Sequence, residues 1–142
     1  MSNPVIIIKP DAFERNLVSK ILSRLLEEFD IEFIYTLTPS RSQWKDHYCE
    51  HMTKEFFPNL INAMSDKKVI LFIPNNSKRL SLAELKGHKL EDDALVMHAR
   101  NFCENIRAEF VDTDYVGPRN LIHCSDSKES AEREYNYWIN QT

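Results

Sequence analysis

Val5-Ile6-Ile7-Ile8-Lys9-Pro10-Asp11 is the stretch whose reading decides the fold. Four consecutive β-branched residues closed by a proline read as a strand buried on both faces. Immediately downstream the period changes. Phe13, Leu17, Val18, Ile21, Leu22, Leu25, Leu26 and Phe29 recur at steps of three and four, while Glu14, Arg15, Lys20, Arg24, Glu27 and Glu28 take the opposite side. That spacing predicts one long amphipathic helix, with Asp11 as N-cap, Glu14 three residues on, and Asp30 as its stop. Residues 31–37 are aromatic and β-branched and predict a second strand, ended by Pro39-Ser40. Helices are expected over 42–52 and 56–64, the latter with Pro58 near its start. Residues 69–73 predict a third strand, stopped by Pro74-Asn75-Asn76. From 77 to 118 the pattern is weak and charged, as active-site loops often are, with short helices expected within 80–90 and 91–103. Residues 121–124 predict a fourth strand and 125–139 a closing helix. This order is two βαβ-type halves. It predicts an α/β (α+β) ferredoxin-like fold, with a mainly antiparallel four-stranded sheet and helices on one face.

Composition narrows the function. The 142 residues suit one domain, spanning 1–142, and 42% hydrophobic with 28% charged residues is ordinary for a globular chain. Lys plus Arg is 18 and Asp plus Glu is 22, a formal net charge of −4, which argues against a globally basic nucleic-acid binder. Only two glycines occur, Gly87 and Gly117. They lie too far apart to write a G-x-G-x-x-G or a G-x-x-x-x-G-K-[ST] pattern, so Rossmann and P-loop nucleotide sites are excluded. Three cysteines without a C-x-x-C make a disulfide scaffold or structural zinc improbable. No signal peptide is legible and no apolar run approaches the ~20 residues that span a bilayer, so a cytoplasmic location is expected.

Several residues invite chemistry. Lys9 stands where a buried strand meets a helix and could aim its ammonium at a phosphate. His123 ends an apolar strand, and Ser125-Asp126-Ser127 after it offers caps and backbone N–H groups that suit an anion. With a carboxylate to fix its ring, such as Glu134, it could be a nucleophile toward phosphorus. Taken singly, each residue has a plainer reading as a solvated lysine or a structural histidine. His47-Tyr48-Cys49-Glu50-His51 fits H-x-x-E-H, and two histidines four apart on a helix can share zinc, but no third ligand declares itself. A solvated helix face is the stronger reading there.

Taken in order, Ile8-Lys9-Pro10-Asp11, His47-Tyr48, Phe56-Phe57-Pro58, Asn120-Leu121-Ile122-His123-Cys124-Ser125-Asp126-Ser127 and Ser130-Ala131-Glu132-Arg133-Glu134 form a specific set. The chain resembles a nucleoside diphosphate kinase over residues 5–73 and 104–138. The resemblance implies a ping-pong transfer of the γ-phosphate from a nucleoside triphosphate, with ATP the expected donor, to a nucleoside diphosphate. By that resemblance His123 is the phosphorylated histidine, Glu134 orients it, Lys9 meets the phosphates and Tyr48 lies beside the histidine. Asn120 meets the sugar, Phe56 stacks on the base, and Arg107 and Lys54 match arginine positions, Arg107 that of a phosphate-binding one. Mg2+ is implied as cofactor, arriving with the nucleotide rather than in a protein metal site. A homo-oligomer built from dimers, tetramer or hexamer, is implied too; a membrane or a specific nucleic-acid partner is not. Stacking would tolerate any base, because every base offers a π-face.

The departures from the family pattern are local. Cys124 and Ala108 stand where the family has glycine. The family's first phosphate arginine has only His88, after Gly87, as its nearest match, and residues 74–103 do not align. A neutral imidazole would not replace a guanidinium, so a basic residue from the lengthened loop is expected to substitute: Arg79, Lys86, Lys89 or Arg100. The alternative reading is a nucleotide-binding, weakly active or inactive kinase-like module acting through a protein partner.

Overall fold

The computed structural model describes residues 3–78 and 91–142. The predicted helix within 80–90, together with His88, Arg79, Lys86 and Lys89, lies outside the described residues. Strands β1 (Ile6–Ile8), β2 (Phe29–Leu37), β3 (Val69–Ser77) and β4 (Ile122–Cys124) form one four-stranded sheet in the order β2-β3-β1-β4. All three ladders are antiparallel, and Ile7 lies opposite both Leu71 and His123. This is the ferredoxin-like sheet expected.

Helices cover both faces of the sheet rather than one. The alternation along β1 explains it: Ile6 and Ile8 point one way, Val5 and Ile7 the other, and all four are fully or almost fully buried. On the first face, Ile6, Ile8, Ile70, Phe72, Ile122 and Cys124 pack against helix α2 (Val18–Glu28) and helix α5 (Glu91–Glu109), which contributes Leu95, Ala99, Cys103 and Ile106. On the second face, Val5, Ile7, Leu71 and Ile73 pack against helices α3 (Arg41–His47), α4 (Phe57–Met64) and α6 (Lys128–Ile139). Trp44 and Trp138 meet there with ring centroids 5.3 Å apart. A strand that is apolar at every position needs cover on both sides.

The long first helix is in fact two. Helix α1 (Pro10–Glu14) ends in a Schellman turn, with Leu17 N–H donating to Ala12 O and Asn16 N–H to Phe13 O. Asn16 sits at φ 56, the left-handed conformation that asparagine tolerates better than most residues. Asp11 does not cap this helix. Lys9 is at the N-cap position, Pro10 occupies N1, and the buried Asp11 carboxylate turns toward β4. Strand β3 runs on through Pro74 because β1 pairs only with its first half. At Pro74 the register with β2 shifts beside Ile31, and a missing N–H is tolerated at such a bulge. Helix α3 stops at His47, and a 3-10 turn over Cys49–His51 replaces the predicted last turn. Helix α5 continues to Glu109, six residues past its expected end. Helix α6 starts at Lys128 behind a capping box, Ser127 Oγ accepting from Ser130 N–H and Ser130 Oγ from Ser127 N–H.

Candidate active site

Strand β4 is an edge strand, and both helix layers reach its rim. A cleft of about 240 Å³ opens there, lined among others by His47, Tyr48 and His51 from the α3 corner, Arg100, Cys103 and Arg107 from α5, His123, and Arg133 and Glu134 from α6. The approach to His123 is built from a strained turn. Ile122 N–H donates to Asn120 O, closing a γ-turn around Leu121, whose φ is 76. That conformation is rare for a non-glycine residue and persists only where neighbours over-determine it. Here Asp11 Oδ2 accepts from Leu121 N–H at 2.8 Å, and Leu121 O accepts from Lys9 N–H at 2.8 Å. Lys9, which joins β1 to α1, and Asp11 in the first turn of α1 therefore fix the backbone just ahead of the histidine.

His123 pairs with Glu134. Its Nε2 lies 2.7 Å from Glu134 Oε1, and Ser125 Oγ donates to the same oxygen at 3.1 Å. Burial, reinforced by the charges of Lys9 and Arg107, pushes the His123 pKa down to about 3. The ring is neutral near pH 7, with Nε2–H directed at the carboxylate and a lone pair on Nδ1. Burial raises Glu134 to about 6, while His47, the Ser125 hydroxyl and Arg133 hold it lower than burial alone would. A neutral imidazole oriented by a carboxylate is the arrangement of an activated nitrogen nucleophile.

His47 frames this pair. Trp138 Nε1–H donates to His47 Nδ1 at 2.9 Å, so His47 carries its proton on Nε2, 4.0 Å from Glu134 Oε1. Its ring stands edge-on to His123 with centroids 4.7 Å apart, and burial lowers its pKa to about 3. The ligand atoms of His47, His123 and Glu134 lie within 4.8 Å of one another, a spacing a metal ion could bridge. The Trp138 bond argues against it, because it leaves His47 facing the site with a proton rather than a lone pair. The H-x-x-E-H zinc reading fares no better. His47 ends an α-helix and His51 lies in the 3-10 turn beyond it, so the two do not share a helical face.

The other expected residues fall in two groups. Lys9 is buried; its Nζ donates to Asn120 Oδ1 at 2.8 Å and to Pro118 O at 3.0 Å. Burial and the Arg107 charge bring its pKa down to about 7. Tyr48 is buried with its ring 5.9 Å from that of His123, and its hydroxyl has no hydrogen-bond partner among the described residues. Burial raises its pKa, so it remains a protonated donor. Arg107 is anchored by Nε and a terminal nitrogen, both donating to Ile122 O at 2.9 and 2.6 Å. Lys54 and Phe56 lie on the exposed connection to α4 and, like the bonded pair Lys9 and Asn120, are not among the residues that line the cleft. Phe56 is 46% exposed, and His51 stands 5.5 Å from its ring.

From the sequence, Ser125 was expected only as part of an anion-suited cap, and Arg133 had no expected role. Ser125 lay within the quoted H-C-S-D-S segment, two residues after a candidate nucleophile; its full burial and its bond to Glu134 emerge only in the structure. Arg133 gave no signal by spacing, since its hydrogen-bond partners, Glu50 and His47, lie 83 and 86 positions away. Its Nε donates to Glu50 Oε1 at 3.0 Å, a terminal nitrogen donates to His47 O at 3.1 Å, and the other lies 3.8 Å from Glu134 Oε2.

A family model described as nucleoside diphosphate kinase matches residues 3–142. Among curated relatives, the nucleoside diphosphate kinase of Methanocaldococcus jannaschii is 34% identical over 128 residues, covering 89% of this chain and 85% of its own. That of Picrophilus torridus is 27% identical over 143 residues, covering 99% and 96%. Among solved structures, the Aquifex aeolicus nucleoside diphosphate kinase superposes with a TM-score of 0.69 at 28% identity, covering 96% of this chain and 94% of that one. The Encephalitozoon cuniculi enzyme gives 0.68 at 26% identity, covering 98% and 89%.

Proposed function

The chain belongs to the nucleoside diphosphate kinase family, and from that premise we propose how its cleft carries out phosphoryl transfer between nucleoside triphosphates and diphosphates. The comparisons support the transfer activity and lend nothing to a non-catalytic module. His123 Nδ1 attacks the γ-phosphorus, the bond to the β–γ bridging oxygen breaks, and the nucleoside diphosphate departs. The resulting phosphohistidine then passes its phosphoryl group to a second nucleoside diphosphate by the reverse displacement. The observation that carries this is the 2.7 Å contact from His123 Nε2 to Glu134, which leaves Nδ1 with the lone pair. Glu134 balances the positive charge that grows on the ring as the P–N bond forms. Ser125 and Arg133 keep that carboxylate in place.

Lys9, Arg107 and the Tyr48 hydroxyl serve the phosphates, where positioning and charge neutralisation supply most of the rate. Asn120, already bonded to Lys9, meets the sugar, and exposed Phe56 supplies a stacking face for the base. Lys54 and His88 complete the proposed nucleotide contacts. ATP is the proposed donor. Magnesium enters as part of the nucleotide and offsets charge on its phosphates. The cleft's described carboxylates fit that role, since Glu134 is bonded to His123 and Ser125, Glu50 to Arg133, Glu104 is paired with Arg100, and Asp126 accepts from the Ser130 hydroxyl. No oxygen cage converges among them. Steady-state rates at several fixed diphosphate concentrations should give parallel double-reciprocal lines. A chelator should stop transfer and added Mg2+ restore it; intersecting lines would contradict the phosphohistidine.

The pH dependence follows from two groups. Below about 6 Glu134 gains a proton and no longer supports the ring; above about 7 Lys9 loses its charge in the free protein. The profile of kcat/KM, which reports the free enzyme, should therefore be a narrow bell with limbs near those values. Lys9→Arg should remove the alkaline limb, because a guanidinium stays charged. An alkaline limb unchanged in Lys9→Arg would sink the assignment.

We propose a homo-oligomer as the working form. Edge strand β2 presents Ile31, Ile34 and Tyr35 at 38%, 41% and 36% exposure, an apolar edge that self-association would cover. A cytoplasmic location is proposed as well, supported by three free thiols; no described helix is long and apolar enough to cross a membrane.

A further inference from the structure

Arg100, Cys103, Glu104 and Arg107 all line the cleft, and their spacing of three, four and seven places them on one face of α5. Among the described residues the cleft thus holds three guanidiniums, and they are committed very differently. Arg133 is fixed by Glu50, by His47 O and by its approach to Glu134. Arg107 is fixed by two bonds to Ile122 O. Among the described residues, Arg100 has only a long ion pair with Glu104, at 3.4 Å, between side chains 43% and 52% exposed. Exposed pairs of that kind are weak and exchange easily for a better anion. A phosphate is such an anion, since it accepts two parallel N–H bonds from one guanidinium.

We propose that Arg100 is a phosphate-binding residue: on nucleotide binding it leaves Glu104 and closes its guanidinium on a phosphate of the ligand, two helical turns from Arg107. This rests on the kinase reading of the cleft. Glu104 is its counterpart in the empty cleft, a carboxylate that shields Arg100 and repels the incoming polyphosphate. The two side chains therefore predict effects of opposite sign from neighbouring turns of one helix. The ligand class follows from the arrangement: a nucleoside di- or triphosphate gains from Arg100, whereas a nucleoside without phosphates does not.

The test is calorimetric titration of the whole protein with ADP and with adenosine, which needs no turnover. Arg100→Ala should weaken ADP binding about tenfold, as expected for loss of one charge-assisted contact. Arg100→Lys should recover part of the loss, and Glu104→Gln should tighten ADP severalfold. Adenosine binding and the melting temperature of the unliganded protein should stay at wild-type values in all three. ADP affinity unchanged in both Arg100→Ala and Glu104→Gln would overturn the proposal. So would an equal loss for adenosine, which would assign Arg100 to the shape of the cleft. Were Arg100→Ala to misfold, Arg100→Lys and Glu104→Gln would still decide it. Failure of the kinase reading looks different: wild-type protein would bind ADP, with the Arg100 dependence intact, yet take no label on His123 from γ-labelled ATP.

Discussion

His123→Ala should reduce phosphoryl transfer by at least about 10⁴-fold, the scale of loss when a covalent nucleophile is deleted. At 1.36 kcal/mol per factor of ten, that is ~5 kcal/mol or more of transition-state stabilisation. Nucleotide binding should survive, because the phosphate and base contacts come from other elements. His123 is half-buried on an edge strand whose backbone pairing with Ile7 does not depend on the side chain, so the variant should fold. His47 cannot take over. Its Nδ1 accepts from Trp138, and its remaining nitrogen carries a proton facing Glu134. Direct measurement of initial rates with ATP and a second nucleoside diphosphate checks this. A residual rate within a hundredfold of wild type would mean that another residue carries the phosphoryl group.

The largest stability effect is expected at Trp138, which is 1% exposed and packs on Trp44, His47 and Tyr137. Trp138→Ala removes a large buried side chain and leaves a cavity between α6 and α3. The cost should be ~3–5 kcal/mol, and for a chain of this size the melting midpoint should fall by roughly 10–20 °C. Trp138→Phe separates packing from hydrogen bonding. It keeps most of the volume but strips His47 Nδ1 of its donor, at a cost of ~1–3 kcal/mol. It also frees His47 to change tautomer, and a lone pair would then face Glu134 in place of N–H. Transfer should drop in Trp138→Phe by more than its loss of stability explains. A Trp138→Phe variant with wild-type turnover would show that the His47 tautomer does not matter. Thermal denaturation followed by circular dichroism measures the stability arm.

Some of this was legible in the residues and some was not. β1 was readable because an uninterrupted apolar run next to proline has few alternatives, and β4 because Leu121, Ile122 and Cys124 flank a single histidine just before serines that can open a helix. The same uninterrupted run in β1 already implied cover on both faces, so a sheet with helices on one side contradicted its own strand. The break at Asn16 was hidden because the three-four apolar spacing continues across it; a single residue at φ 56 stops the helix without disturbing the pattern. Pro74 looked like a terminator, yet it falls where β3 has lost its β1 neighbour and needs one bond fewer. Helix α5 was obscured by its charge, although Leu95, Ala99, Cys103 and Ile106 keep an apolar face to the sheet. In the site, the resemblance named Lys9, Tyr48, Arg107, Asn120, His123 and Glu134, and the structure gathers Tyr48, Arg107, His123 and Glu134 round one cleft, with Lys9 bonded to Asn120. The Ser125 and Arg133 contacts, and the tautomer that Trp138 imposes on His47, depend on residues brought together from up to ninety-one positions apart. No spacing rule reports them.

In the proposed mechanism, His123 holds the phosphoryl group between two nucleotides. Its most direct measurement begins with protein incubated with γ-labelled ATP and Mg2+, then stripped of all nucleotide by gel filtration. The isolated protein should retain a label that acid removes and alkali does not, as a phosphohistidine does. Added nucleoside diphosphate alone should then receive that label as the triphosphate. Protein that emerges unlabelled, or a label that acid leaves in place and no diphosphate can remove, would contradict the account.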